Sequence, residues 1–346
     1  MKMPLRNEHA TRPATAPRSA LLSTIGAGLL ALAAGLLTLA AALPAAAQTY
    51  PAKPLRLIVG FAAGGLVDTL ARTLQPRLQT GLGQPLVIEN QAGGAGTVAE
   101  ATLARSAPDG YTLMISADSP PANVHLFRNL SYDLLRDLRA VAMLTRVPLA
   151  LLVHPSVPAN TLQEFMAYAR SKNGAVNYAS PGSGTSNHLY MELLKGVGGF
   201  DMTHVAYKGG GPAMNDLLGG QVQAILISIT LATPNVRAGK LRALATSGDK
   251  RSAMLPQVPV FGELGIADFN PHSWSGLFMP TGTPQPIVQR IHEEFSQALK
   301  DPEVLKRLQD LSAEPVMNTP DQFAAFLKTE SERLGRLIRE RGISAN

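Results

Sequence analysis

Short apolar runs alternate with amphipathic segments along the chain. Leu55–Phe61 is a largely apolar run typical of a buried parallel strand, and Leu66–Leu78 repeats leucines near helical spacing. The same pattern predicts further strands at Leu86–Glu89 and Tyr111–Ser116, with a helix at Thr97–Arg105 between them. This alternation favours a parallel sheet with helices on both faces.

A second series follows two apolar strands, Val141–Thr145 and Leu149–His154, which Pro148 separates. Thr161 and Glu164 have the spacing of a capping box that opens a helix. The elements predicted after that helix are strands at Val176–Ala179, Thr203–Ala206, Val222–Ser228, Leu241–Thr246 and Trp274–Met279, and helices at Ser186–Lys195, Pro212–Leu218, Ala232–Arg237, Ile287–Leu299, Glu303–Gln309 and from Thr319 to Arg341.

Two apolar strands bracket the second series, Leu149–His154 before it and Ser273–Phe278 after it. If both strands cross between lobes, residues 149–272 form an inserted lobe, and residues 48–148 with 273–346 form the other. We then expect a ligand between the lobes, at the carboxyl ends of the strands.

The first 47 residues have the layout of a secretory signal segment. An uncharged, mostly apolar run, Ala20–Ala42, ends at Pro44 and three alanines, which predicts cleavage after Ala47. A permanent anchor is the alternative, because the run could span a bilayer of about 30 Å. The proline and the small residues favour cleavage and release into the periplasm. The basic residues that precede the apolar run are Lys2, Arg6, Arg12 and Arg18.

The composition argues against several classes of function. The formal net charge is +6, and removing residues 1–47 takes away four basic residues and one acid, which leaves +3. This excess is too small to argue for a nucleic-acid partner. The chain has no cysteine, so it has no disulfide and no thiolate metal site. Its seven histidines are scattered without a pair at helical spacing, and we expect neither a metal nor another cofactor. A monomer is the default expectation.

The loop Phe61–Gly65 joins the first strand to the first helix. Its two glycines allow backbone N–H groups to approach a ligand closely, and the helix N-terminus that follows favours an anion. Asp68, in the first helical turn, either faces water and stabilises the helix dipole or contacts the ligand.

The segment Ser180–Ser186 is a second strand-to-helix loop, rich in hydroxyl groups and glycines. It can offer several hydrogen-bond donors to a carboxylate or a phosphate. The alternative is an ordinary capped helix, with Thr185 or Ser186 satisfying its first N–H groups. Two such loops, one in each candidate lobe, favour the binding interpretation.

Enzymatic interpretations are poorly supported, and no catalytic residue is predicted. Gly94–Ala99 imitates a dinucleotide fingerprint with Asp118 after it, but the first strand of the fold lies elsewhere. Gly182-Ser183-Gly184 lacks the spacing of a hydrolase nucleophile. His188 is expected to pack or to cap its helix.

Seven segments occur in an order that is typical of one family. They are KPLRLIVGFAAGGLVDTLAR, LGQPLVIENQAGGAGTVAE, APDGYTL, NYASPGSGTSNHL, THVAYKGGGPAMNDLLGGQV, AGKLRALAT and WSGLFMPTGTP. In these segments the chain resembles the Bug-type periplasmic receptors of tripartite tricarboxylate transporters. The resemblance implies a type II periplasmic-binding-protein fold, α/β, with two lobes, each a mostly parallel sheet flanked by helices. It also implies no catalysis, capture of a small carboxylate in the cleft, and membrane transporter subunits as partners.

Carried over residue by residue, the resemblance implies that both loops hold the carboxylate, largely through backbone amides. The residues implied are Phe61, Ala62, Gly64, Gly65, Ser180, Gly182, Gly184, Thr185 and Ser186, with Asn90 and Tyr207 nearby.

The chain departs from the family pattern at Leu66 and Val67, where small hydroxyl residues are usual, and at Ile227, where an acid is common. We therefore expect an aromatic or aliphatic monocarboxylate rather than citrate or an acidic amino acid. Two alternatives remain open at this stage. The first is a sensor that reports its ligand to a signalling partner such as a sensor kinase, and the second is a hydrolase that depends on Ser183.

Overall fold

The computed structural model describes residues 50–207, 209–266 and 269–344, so the predicted signal segment lies outside the described residues. Strands and helices alternate in the first part of the chain, as the hydrophobic pattern predicts. These elements are β1 (Leu55–Val59), α1 (Leu66–Leu82), β2 (Leu86–Asn90), α2 (Thr97–Ala104), β3 (Thr112–Ser116), α3 (Pro120–Leu126) and α4 (Leu134–Asp137).

A long strand, β4 (Leu138–Val153), connects this part to a second series of strands and helices. The elements of the second series are α5 (Leu162–Ser171), β5 (Gly174–Ser180), α6 (Ser186–Gly198), β6 (Met202–Ala206), α7 (Gly210–Leu218), β7 (Ala224–Ser228), α8 (Ile229–Arg237) and β8 (Arg242–Thr246). The remaining elements are β9 (His272–Pro280), α9 (Gln285–Lys300), α10 (Pro302–Asp310), β10 (Glu314–Pro315) and α11 (Pro320–Arg341).

The sheets are mixed, with three parallel strands in each half of the fold. On one side β2, β1 and β3 are parallel, and on the other β7, β5 and β6 are parallel. Between them β9 and β4 run antiparallel to each other and to their neighbours β3 and β7. This arrangement, with helices on the faces of the sheets, is the α/β fold expected of a periplasmic binding protein.

Pro148 does not divide β4, so the prediction of two separate strands is wrong. The strand is continuous over 16 residues. Leu138–Pro148 pairs with β9, whereas Leu149–Val153 pairs with β7 and β8. Proline is tolerated because it lies where one set of sheet partners ends and the next begins, so its missing N–H interrupts neither ladder.

Each half has its own apolar core. One cluster surrounds Ile58, Met114 and Phe278, and packs against Phe323 of α11. Two others cover opposite faces of the second sheet and include Tyr178 on one face and Ile225 on the other. Among the described residues, none of the helices combines the length and the apolar character needed to span a bilayer.

The capping box predicted at Thr161 is confirmed, and a second one is present at Thr319, where the last helix was expected to begin. At the start of α5 the hydroxyl of Thr161 accepts the N–H of Glu164, and the side chain of Glu164 accepts the N–H of Thr161. Thr319 and Gln322 make the same reciprocal pair of hydrogen bonds at the start of α11. These caps satisfy helix N–H groups that otherwise lack partners.

Candidate functional site

The two predicted loops lie at the carboxyl edges of the two sets of parallel strands. Val59 of β1 pairs with Ile115 of β3, and the first loop follows directly. Ser180 of β5 pairs with Ala206 of β6, and the second loop follows there. Each loop leads into a helix, α1 or α6, which places a helix N-terminus at each edge.

The first loop exposes its backbone at the start of α1. Residues 62–65 are exposed, and Gly64 adopts a positive φ of 80°, which favours glycine. Gly65 is the N-cap, and it has no side chain to accept the first N–H groups of the helix. The N-terminus of α1 therefore offers donors and a partial positive charge to an anion.

The side chain of Asp68 fixes the conformation of the first loop through hydrogen bonds. Its side chain is buried, and it accepts hydrogen bonds from the N–H of Gly64 at 2.8 Å, from Asn90 Nδ2 at 2.9 Å and from Arg72 Nε at 2.9 Å. The hydrogen bond from Arg72 is the largest cause that lowers the pKa of Asp68, from 3.8 to about 2. Asp68 is therefore ionised and internally satisfied, and the expectation of a solvent-facing acid is wrong.

Asn90 completes the support of the first loop. Its Nδ2 donates both to Asp68 and to the carbonyl oxygen of Phe61, at 2.9 and 3.0 Å. Gly64 already donates its N–H to Asp68, and Gly65 donates its N–H to the carbonyl of Ala62 at 3.3 Å. Asp68 and Asn90 thus position the loop.

The second loop is also fixed by internal hydrogen bonds. The buried Ser180 hydroxyl accepts the N–H of Gly182 at 3.2 Å and lies 2.7 Å from Nε2 of His204. Thr185 is the N-cap of α6, and its hydroxyl donates to the carbonyl of Gly182 at 2.8 Å. Gly182 and Gly184 adopt positive φ angles of 154° and 77°, which restricts these positions to glycine.

Two stacked histidines lie behind the second loop. The rings of His188 and His204 are 3.7 Å apart and nearly parallel, and Nδ1 of His188 accepts the N–H of Gly184 at 3.0 Å. Burial lowers the pKa of His188 from 6.5 to about 3, so the ring is neutral. The expected packing role of His188 is confirmed, whereas the sequence did not single out His204.

Asp118 is the site residue that sequence reasoning missed. It follows β3 in the first half of the fold, and its buried carboxylate accepts a hydrogen bond from the Ser273 hydroxyl at 2.9 Å. The hydroxyl of Ser186, at the start of α6, lies near this carboxylate and lowers its pKa. Burial is the main cause that raises the pKa of Asp118 from 3.8 to about 6, and the nearby charge of Glu330 adds to this.

Asp118 thereby brings the two predicted loops into one region. Gly60, where the first loop begins, lies beside Ser116 at the end of β3, and Asp118 is two residues further on. From there its carboxylate lies near Ser186 of the second loop. The available sequence signal was an acid shortly after an apolar strand, at the same edge as the first glycine loop.

Tyr207 and Ile227 are more deeply engaged in structure than the other predicted residues. The hydroxyl of Tyr207 donates to Asp216 Oδ2 at 2.7 Å, and burial together with this bond raises its pKa to about 12. Ile227 is 2% exposed and belongs to an apolar core cluster. A Cβ at Gly210 would lie 3.3 Å from its Cδ1, so the side chain points toward the start of α7. Its contact with a ligand stays a prediction.

In the part of the chain that the structure describes, potential metal ligands are not grouped around these loops. Within residues 50–207, 209–266 and 269–344, His, Asp and Glu side chains form no group of three that could hold a metal ion. The groups available to a ligand are backbone N–H groups at two helix N-termini, hydroxyl groups and the buried carboxyl group of Asp118.

Comparison with known proteins gives a consistent assignment. Residues 70–343 match the model of the tripartite tricarboxylate transporter family receptor. Protein BugT of Bordetella pertussis is 37% identical over 295 residues, which cover 85% of this chain and 90% of BugT.

Two solved structures are similar over most of the chain. MatC from Rhodopseudomonas palustris, solved with bound malate, is 35% identical with a TM-score of 0.71, and the match covers 84% of this chain and 100% of MatC. Another R. palustris protein, solved with adipate, is 31% identical with a TM-score of 0.74, over 85% of this chain and 99% of that protein.

Proposed function

Because the chain belongs to the receptor family of tripartite tricarboxylate transporters, we propose that it captures a small carboxylate in the periplasm and delivers it to a membrane transporter. The members of this family are solute-binding receptors and not enzymes. The malate and adipate in the structures of two relatives support a carboxylate as the ligand class. Export with cleavage after Ala47 belongs to the same proposal.

The ligand lies between two lobes in this proposal. Residues 48–148 with 273–346 form one lobe, and residues 149–272 form the other. The change of partners along β4 supports the first boundary, because pairing with β9 ends at Pro148 and pairing with β7 begins at Leu149. The start of β9 at His272 supports the second boundary.

The uncapped N-terminus of α1 is the single observation that carries the proposal. Gly65 leaves the first N–H groups of the helix without a side-chain acceptor, while Asp68 and Asn90 keep the loop in place. A carboxylate at this point supplies the missing acceptor and complements the helix dipole. The donors for it are the N–H groups of Ala62 and of the first helical turn, since those of Gly64 and Gly65 are already engaged.

The second lobe contributes donors from the start of α6. Thr185 and Ser186 carry hydroxyl groups at this helix N-terminus. The Thr185 hydroxyl donates its proton to Gly182, so the side-chain donor is Ser186, which is free to donate to the ligand when the nearby carboxyl group of Asp118 in the first lobe is protonated. A ligand that engages both loops therefore stabilises the arrangement in which the lobes are together. It shifts the lobes toward closure only by its greater affinity for the closed state.

The residues around the site favour a ligand with a single carboxylate. Asp118 lies beside Ser186, and in its ionised form it repels negative charge on the ligand, so each further carboxylate on the ligand adds to the repulsion. Ile227 replaces the acid that is common at this position in the family and adds apolar surface to the core near α7. An aromatic or aliphatic monocarboxylate is therefore our candidate, rather than citrate or an acidic amino acid.

A thermal-shift screen of residues 48–346 against small carboxylates tests the proposal. The panel runs from aromatic and aliphatic monocarboxylates through malate and adipate to citrate and glutamate. A ligand at 100 times its dissociation constant adds about 2.7 kcal/mol to the free energy of unfolding, which is a readily measured shift. Tight binding of citrate or glutamate without binding of monocarboxylates would contradict the ligand class.

Two serines of the second loop provide a matched pair for the same assay. Ser186 is buried and reaches Asp118, whereas Ser183 is exposed in the same loop. We expect Ser186→Ala to weaken binding of the hit by about tenfold, the value of one hydrogen bond to a charged group, and Ser183→Ala to leave it unchanged. Equal effects of the two substitutions would argue against this placement of the ligand.

A further inference from the structure

A cavity of about 420 Å³ lies between β4, β9 and α11. None of the residues predicted for the carboxylate site lines it. Its volume is in the range of small-molecule sites, about 300–1,000 Å³. The residues that line it are Met143, Arg146, Tyr190, Asn270, Pro271, His272, Trp274, Val316, Asn318, Phe326, Glu330 and Arg333.

Two hydrogen-bond donors in the wall of this β4–β9 cavity are unpartnered. Arg146 and Trp274 are directly opposite each other on β4 and β9. Arg146 Nε and Trp274 Nε1 are both buried, and among the described residues neither has a hydrogen-bond partner. A buried donor without an acceptor destabilises a protein by about 1–3 kcal/mol, so such donors are rare in native structures.

The acid in the cavity is already neutralised. The Glu330 carboxylate accepts hydrogen bonds from Tyr190 at 3.0 Å and from Arg333 at 2.8 and 3.0 Å. In the described part of the chain, Arg146 pairs only with two exposed acids, Glu314 at 3.4 Å and Asp249 at 4.0 Å. Exposed ion pairs of this kind contribute little to stability, so exchanging them for a ligand carboxylate costs little. The arginine and glutamate side chains that line the cavity, Arg146, Arg333 and Glu330, have a formal sum of +1.

Part of the remaining wall is apolar and aromatic, while Asn270, His272 and Asn318 add polar groups. Trp274 is 3% exposed, and its ring meets that of Phe326 edge to face, with centroids 5.6 Å apart. Met143 and Val316 also line the cavity. Such walls suit a ring, because aromatic pairs prefer edge-to-face or offset contacts at this separation.

From this combination we propose that the β4–β9 cavity is a second ligand site, which binds a small monocarboxylate with an aromatic body. The carboxylate accepts hydrogen bonds from Arg146 and Trp274, and the ring packs against Phe326 and Val316. None of the residues of the two glycine loops lines this site, although Glu330 in its wall lies near Asp118, and the proposal does not depend on the function proposed for the loops.

The chain contains a single tryptophan, so the fluorescence of Trp274 reports directly on this cavity. The experiment titrates benzoate into residues 48–346 with excitation at the red edge of tryptophan absorption, where benzoate does not absorb. We expect a saturable change in emission. Arg146→Gln should weaken it by at least about tenfold, because the charged donor is lost.

Two control variants separate this site from the loops and from general effects of charge. Arg139 lies on the same strand but donates to Thr283 and Gln285, outside the cavity, so Arg139→Gln should bind benzoate as the unmodified protein does. Gly65→Asp, which alters the first loop, should also leave the fluorescence titration unchanged.

Three results would overturn the inference. The first is a change in Trp274 emission that does not saturate with benzoate, and the second is a saturable change that persists unweakened in Arg146→Gln. The third is that Gly65→Asp loses both the emission change and the thermal shift. The last result would mean that Trp274 senses occupation of the loop site. With benzoate, a thermal shift that is reduced but not abolished in Gly65→Asp, together with an intact fluorescence titration, would support both sites as separate, because binding in the cavity alone still stabilises the protein.

Discussion

Replacing Gly65 with aspartate should place a permanent carboxylate at the helix terminus that we propose for the ligand. Gly65 is the N-cap of α1 with φ −73° and ψ 171°, an extended conformation that any residue adopts. The aspartate side chain would accept the N–H groups of the first helical turn. The substitution should therefore strongly weaken ligand binding at this loop while leaving the protein folded, which separates a lost site from a damaged fold.

The expected effect on stability is small and favourable. An aspartate at the N-cap stabilises the protein by a few tenths of a kcal/mol relative to glycine. Replacing glycine also restricts the unfolded chain, which adds about 0.4–1 kcal/mol to the free energy of unfolding. Repulsion between the new carboxylate and Asp68 opposes this by about 0.2–0.5 kcal/mol. A Cβ at Gly65 would lie 3.3 Å from the carbonyl oxygen of Ala62, a tight contact that the exposed loop must relieve. We expect a net gain of about 0.5 kcal/mol.

The expected effect on affinity is large. A ligand carboxylate that loses two charge-assisted hydrogen bonds, worth about 1.5 kcal/mol each, binds at least about 100-fold more weakly. Isothermal titration calorimetry with the hit of the thermal-shift screen measures this loss. Gly65→Ala is the matched control, since it adds the same Cβ without an acceptor, and it should retain affinity within about fivefold.

Either of two results would refute this reasoning. If Gly65→Asp binds the ligand as tightly as the unmodified protein, the carboxylate does not lie at the N-terminus of α1. If Gly65→Ala loses as much affinity as Gly65→Asp, the Cβ and not the competing carboxylate is responsible, and the loop geometry alone controls binding.

Three further predictions concern ionisable groups. Asp118 has a raised pKa of about 6, so it is neutral below this pH and repels a ligand carboxylate above it. The ligand affinity measured by calorimetry should therefore fall as the pH rises through 6. Asp118→Asn should abolish this pH dependence. The pKa of His188 is lowered from 6.5 to about 3, so its contribution to the free energy of unfolding should be complete above pH 6.5 and should fall as the pH decreases toward 3. At two pH units below 6.5 the loss should be about 2–3 kcal/mol. Urea unfolding should show a smaller loss of stability in acid for His188→Gln than for the unmodified protein. The pKa of Asp68 is lowered to about 2, so its contribution to the free energy of unfolding is present above pH 3.8 and is lost as the pH falls toward 2. Asp68→Asn should lower stability by about 2 kcal/mol in urea unfolding at neutral pH, and it should also weaken ligand binding.

The fold could be predicted from the sequence because local signals and tertiary structure agree over most of the chain. Apolar runs such as Leu55–Val59 became buried parallel strands, and Thr161 and Thr319 cap the helices that they were expected to cap. The exception was β4, since the rule that proline interrupts a strand does not anticipate a junction between two sets of sheet partners.

The site was only partly predictable, because sequence shows which loops carry glycines but not what supports them. Asp68 was expected at the surface or on the ligand, yet Arg72 and Asn90 enclose it beneath the loop. Asp118 carries no motif, and it becomes notable only when folding brings Ser186 and Ser273 to it. Such convergence depends on contacts between segments that are far apart in sequence.

A crystal structure of residues 48–346 with the best ligand of the screen tests the central claim most directly. We predict that the ligand carboxylate accepts hydrogen bonds from N–H groups at the start of α1 and from the Ser186 hydroxyl, with the two lobes closed on it. A carboxylate bound away from both loops, for example only in the β4–β9 cavity, would contradict the account.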